Sequence, residues 1–138
     1  MLSKLLFSIA ALLLIGAPVV GLAQSKSPVG SLDAFIQQWD SDHDGTLSLD
    51  EVKKAADARF EALDRNHDGT LDRKELGGAV TAKEFAKADI DKDRTLDKKE
   101  YEAIVEKRFR AADRDHDGTL DKKELSSRAG KALLRLLQ

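Results

Sequence analysis

Apolar side chains between residues 32 and 127 fall into a repeating frame. Ile36 and Trp39 stand four and one residues before Asp40. Phe60 and Leu63, Phe85 and Ala88, and Phe109 and Ala112 take the same places before Asp64, Asp89 and Asp113. That spacing puts each pair on one stripe of a helix. A polar run follows each aspartate, broken by one leucine at its eighth position: Leu47, Leu71, Leu96 and Leu120. Position 13 is apolar each time, as Val52, Leu76, Tyr101 and Leu125. The pattern predicts four units of helix, polar loop and helix, with each exiting helix starting near position 10. The starts at 40, 64, 89 and 113 make the period 24 or 25 residues, the mark of an internal repeat.

The connections between units are short. Val52–Leu63 contains no Gly or Pro, and Ala55, Ala56 and Ala58 favour helix. One helix therefore serves as exit from the first loop and entrance to the second, and Tyr101–Ala112 reads the same way. The middle connection differs. Gly77-Gly78 interrupts the pattern, and Thr81-x-x-Glu84 is a capping box that starts a new helix. A helix–turn–helix there favours loops two and three side by side, with one and four meeting at the far end. The alternative pairs one with two and three with four, and needs the Ala-rich helices to kink.

The two ends of the chain read differently. Met1–Ala23 has Lys4, an apolar run over Leu5–Val20 and small residues in Gly21-Leu22-Ala23, the features of a secretory signal peptide. An uncleaved anchor is the other reading, because the run is just long enough to span a bilayer. After cleavage the chain has no membrane segment, and its expected place is periplasmic or secreted. Residues 24–31, QSKSPVGS, read as a flexible linker, and 32–138 as one domain whose first helix, Leu32–Trp39, is capped by Ser31. The final helix, Arg128–Gln138, turns Leu133 and Leu137 toward a core, and Gly130 weakens it.

Each polar run is twelve residues long and has the spacing of an oxygen cage for a hard cation. In 113–124 the acids Asp113, Asp115, Asp117 and Asp121 hold positions 1, 3, 5 and 9, the Thr119 carbonyl supplies position 7, and Glu124 closes position 12. Gly118 at position 6 allows the sharp turn. In 40–51 the corresponding set is Asp40, Asp42, Asp44, Thr46, Ser48 and Glu51. In 64–75 it is Asp64, Asn66, Asp68, Thr70, Asp72 and Glu75, and in 89–100 it is Asp89, Asp91, Asp93, Thr95, Asp97 and Glu100. The third loop replaces glycine with Arg94, which must turn left-handed at about 1–2 kcal/mol, so this loop should bind more weakly. Many oxygens and a bidentate glutamate suit calcium better than magnesium, and ligation without cysteine argues against zinc and copper. Three or four Ca2+ ions are expected.

Composition narrows the reading further. A net charge of −2 gives no basic excess to suggest nucleic acid. Cysteine is absent, which excludes disulfides and thiolate chemistry. With 35% charged and 5% aromatic residues the core is thin, and a bound ion would add to stability. The carboxylates all carry cage spacing, and no nucleophile constellation or phosphate loop accompanies them, so the chain reads as no enzyme. His43, His67 and His116, at position 4 of their loops, read as exposed turn residues.

On loop register, helix stripes and the position-8 leucines, residues 32–127 resemble the EF-hand superfamily, and the tight repeat with a leader resembles small exported bacterial members. The resemblance implies an all-α fold of tandem helix–loop–helix repeats and a short backbone bridge between partner loops at the leucine. It also implies a calcium sensor or buffer, with a protein partner possible in the sensor case. Met1 is the only methionine, so the Met-rich groove of some sensors is missing. The alternative function is a structural or adhesive protein that uses calcium to fold.

Overall fold

The computed structural model describes residues 32–138. The expected leader, the linker and the Ser31 cap lie outside the described residues. Six helices and four two-residue strands follow one another: α1 (Leu32–Trp39), β1 (Leu47–Ser48), α2 (Leu49–Leu63), β2 (Thr70–Leu71), α3 (Ala82–Ala88), β3 (Leu96–Asp97), α4 (Lys98–Ala112), β4 (Thr119–Leu120), α5 (Lys122–Ser126) and α6 (Arg128–Leu137). The fold is all-α, a tandem repeat of helix and loop.

The loops start and stop the helices. Position 9 is the N-cap of α2, α4 and α5, and in each a capping box joins it to the glutamate at position 12: Ser48 with Glu51, Asp97 with Glu100, and Asp121 with Glu124. Thr81 and Glu84 form the expected box at the start of α3. Position 1 is the C-cap of the preceding helix, as at Asp64, Asp89 and Asp113. α2 and α4 each run 15 residues without a break. At 1.5 Å per residue, each holds its two loops about 22 Å apart.

Two loops that share a helix therefore cannot pair. β1 pairs antiparallel with β4 through Leu47 and Leu120, and β2 with β3 through Leu71 and Leu96. All four leucines are fully buried. The favoured pairing is the one found, and both shared helices run unbroken, which enforces it.

One expected element is missing. No helix follows β2. Arg73–Gly78 is a series of turns, with the Leu76 N–H on the Asp72 carbonyl and the Gly77 N–H on the Lys74 carbonyl, both at 3.1 Å. Gly77 and Gly78 both have positive φ, +56° and +84°, and reverse the chain before a helix can repay its nucleation.

The core is continuous. α4 lies against α6 and α2, and the Phe60 ring meets Tyr101 edge-on at 5.6 Å. The position-13 residues Val52, Leu76, Tyr101 and Leu125 are all buried. In α6, Leu136 joins Leu133 and Leu137 inside. Gly130 has a use that its helix propensity hides. A Cβ there would sit 2.2 Å from the Glu124 carbonyl oxygen and 2.5 Å from the Leu125 Cα. Only glycine lets α6 pack this closely on α5. Among the described residues, no helix is long and apolar enough to cross a membrane.

Candidate metal centre

Each loop curls so that backbone N–H groups aim its carboxylates. The N–H of position 6 donates to Oδ2 of position 1 in all four: Gly45 to Asp40, Gly69 to Asp64, Arg94 to Asp89 and Gly118 to Asp113, at 2.9–3.1 Å. The position-12 glutamate takes two further N–H groups, one from position 2 and one from position 9. Glu51 accepts from Ser41 at 2.7 Å and Ser48 at 2.9 Å. Glu100 accepts from Ile90 and Asp97, Glu124 from Arg114 and Asp121, and Glu75 from Arg65 and Asp72. These bonds fix each glutamate across the loop from position 1.

Three loops bring carboxylates of positions 1, 3 and 12 together. Oxygens of Asp40, Asp42 and Glu51 lie within 4.8 Å of one another, as do those of Asp89, Asp91 and Glu100, and those of Asp113, Asp115 and Glu124. In the second loop position 3 is the neutral Asn66, whose Nδ2 donates to Asp68 at 2.8 Å.

Threonine at position 7 does more than the sequence suggests. Thr46, Thr70, Thr95 and Thr119 each give both N–H and hydroxyl to Oδ1 of position 5, which orients Asp44, Asp68, Asp93 and Asp117. Its recurrence in every repeat was the available signal. Position 9 likewise has a second role. The carboxylates of Asp72, Asp97 and Asp121 accept the N–H of the glutamate three residues on, at 2.7–2.8 Å, and Ser48 does so through its hydroxyl.

Crowding of negative charge is visible in the acidities. The Asp44 N–H lowers Asp42. Burial, the hydrogen bond shared with Asp40, and the charges of Asp44 and Glu51 outweigh it and push Asp42 above the ordinary value. Asp91 is pushed up the same way, by burial and by Asp93 and Glu100 against the Asp93 N–H. Burial also raises Asp40 and Glu51. Their N–H donors outweigh it, so both end below their ordinary values and remain anionic.

The donor set fits a hard cation. Oδ1 of Asp89 and Oδ1 of Asp113 are buried with no hydrogen-bond partner. The equivalent oxygens of Asp40 and Asp64 receive N–H groups from Asp44 and Asp68, at 3.2 Å. A buried carboxylate oxygen without a donor is costly, and a cation in the loop would satisfy it. Positions 1, 3, 5 and 12, with the position-7 carbonyl, would hold calcium, whose charge offsets the repulsion among them.

Arg94 keeps the loop shape at a strained φ of +72°, close to the +81° to +86° of the three glycines. Position 4 is also left-handed, with His43, His67, Lys92 and His116 at φ of 57–61°, a conformation that residue type alone does not signal. The three histidines are exposed, and none joins a metal-ligating cluster among the described residues.

A family model described as EF hand matches residues 32–55, 56–80 and 104–127. The unmatched interval holds the loop with Arg94. No curated protein matches the chain. The matched segments make up more than half the sequence. With the paired loops and the helix–loop–helix order, they show that this chain belongs to the EF-hand family.

Proposed function

We propose that this chain binds three or four calcium ions in its loops, with loop three the weakest, and acts outside the cytoplasm as a calcium sensor or buffer. The observation that carries the reading is the gathering of positions 1, 3 and 12 in three loops, each glutamate already held by two N–H groups. Loops one and four are supported both by that clustering and by the family match, loop two by the match, and loop three by the clustering. The ligands are the side chains of positions 1, 3, 5 and 12 and the position-7 carbonyl, with position 9 contributing directly or through water. Calorimetric titration with calcium, repeated in excess magnesium, tests this. Three or four ions are expected, loop three filling last, and two or fewer would overturn the reading. The leader reading supports export, and N-terminal sequencing of the protein from the periplasm or medium should begin at Gln24.

A second reading is that calcium serves chiefly to fold the chain. The gathering of three carboxylates in each of three loops, where negative charges oppose one another, favours it. Circular dichroism with and without a chelator separates the two: a fully folded calcium-free state sinks the folding role. A dye for apolar surface then addresses sensing, since a sensor should expose new surface when calcium binds.

A further inference from the structure

Beside α6 and the glycine turn the sign of the surface reverses. A cavity of about 710 Å³ lies where α6, α4 and the start of α3 meet Gly78 and Ala79. Ala111, Ala129 and Ala132 line it, with Arg128, Lys131 and Arg135. A second cavity of about 370 Å³ shares Gly78, Ala79 and Arg135, and adds Arg59, Arg65 and Lys74. Seven cationic side chains, counting Arg108, face two carboxylates, Glu75 and Glu84, in a chain of net charge −2.

Most of this charge is uncompensated. Arg108 is occupied: it donates to the carbonyls of Ala132 at 2.6 Å and Ala79 at 2.9 Å and pairs with Glu84 at 3.1 Å. The other six cations form no ion pair among the described residues, whereas Lys98 pairs with Asp57 and Lys122 with Asp33 elsewhere. The Arg59 Nε is shut from solvent and meets no acceptor. Arg128, Lys131 and Arg135 follow one another at helical spacing, where like charges repel. An anionic occupant would relieve that repulsion.

We infer that this groove binds an acidic peptide segment of a protein partner. Its cations are strung out, with Arg128 to Arg135 spanning about 10 Å along α6 before the row continues past the glycine turn. A single phosphate needs converging donors, and the central guanidinium, Arg108, already makes four hydrogen bonds to Glu84, Ala132 and Ala79. Alanines let a peptide backbone come close, and guanidinium forks match carboxylates two bonds at a time. A concave groove meets flat lipid headgroups poorly. The second cavity borders loop two, since Glu75 lines it, but the α6 cations that carry the inference lie outside all four loops.

The test is fluorescence anisotropy of a fluorescein-labelled oligo-glutamate peptide, titrated with the full chain in excess calcium. R128E/K131E/R135E should weaken binding by about tenfold or more, and the control K53E/K54E/K87E by less than about twofold. Circular dichroism checks that both fold. Should the triple variant fail to fold, Arg135→Gln alone, at the junction of the two cavities, should still cost about threefold. Absent binding, or equal weakening by groove and control variants, overturns the proposal. So does displacement of the peptide by inorganic phosphate at equal concentration, which would mark a small-anion site. Sedimentation with phosphatidylserine vesicles without peptide binding would assign the face to a membrane instead.

Discussion

The β1–β4 end and the β2–β3 end of the molecule are built from the same twelve-residue loop, and each joins a loop of five acids to one of four. They differ in what surrounds the loops. At the first end both loops carry glycine at position 6 and both are followed by a helix, α2 and α5. At the second end loop three carries Arg94 at φ +72°, and loop two runs into a double-glycine turn. Yet the cage bonds are nearly identical at the two ends, down to the N–H of position 6 on position 1. The cage is therefore set by local hydrogen bonding within the loop. The exiting helix and the glycine are supports that can be lost singly. The β2–β3 end compensates by bracing from elsewhere: Arg108 ties the Ala79 turn, Glu84 and α6 together, and Tyr101 reaches the Leu136 carbonyl at 2.6 Å.

The largest test asks whether the ends are one cooperative unit. Leu120→Ala and Leu96→Ala each empty a fully buried bridge position and should each cost about 2–5 kcal/mol. Because α2 and α4 span both ends, thermal unfolding should keep a single transition in either variant. Two separated transitions would show that the ends unfold independently.

Gly130→Ala should break the β1–β4 end selectively. Propensity alone says alanine stabilises α6 by nearly 1 kcal/mol. The clash with the Glu124 carbonyl should win, at about 1–3 kcal/mol of net destabilisation in chemical denaturation. Since Glu124 closes loop four, calcium titration should also show one weakened site.

Arg94→Gly sharpens the comparison from the other side. Removing the left-handed strain should stabilise the protein by about 1–2 kcal/mol. It should also tighten the weakest calcium site by about tenfold in calorimetry. An unchanged isotherm would mean that strain at position 6 does not limit loop three.

Tyr101→Phe gives the smallest effect, about 1 kcal/mol for the lost hydrogen bond to Leu136. Its pH dependence is more telling. Burial pushes the phenol up to about 12, against the charges of Arg59 and Arg108, from an ordinary value near 10. A raised value means the neutral phenol favours the fold. That contribution is complete below pH 10 and is lost as pH climbs toward about 12. Denaturation followed across this window should show wild type losing more stability than the phenylalanine variant.

Residue spacing made most of the site legible. Acids at positions 1, 3 and 12 come together in three of the four loops, as their spacing predicts, and leucine at position 8 recurs where the strands bridge. Position 9 and Thr at position 7 have roles beyond ligation, and both leave a signal: position 9 stands at capping-box spacing from the glutamate at position 12, and Thr recurs in every repeat. The helix expected after loop two failed because Gly77-Gly78 was read as a boundary a few residues later than it acts. Gly130 was read as a weak point because propensity sees only its own helix.

What the sequence determined alone is local: four loops, their caps, the unbroken Ala-rich helices and the apolar stripes, each fixed by neighbours within a dozen residues. The helices even constrained the pairing, since a rod of about 22 Å keeps the loops at its ends apart. Tertiary structure decided what depends on distant segments meeting. It set α6 against α5 closely enough to demand Gly130, tied Arg108 and Tyr101 to the last helix, and gathered cations from three stretches of chain into one groove. Such contacts join residues far apart in the sequence, and only the closed fold specifies them.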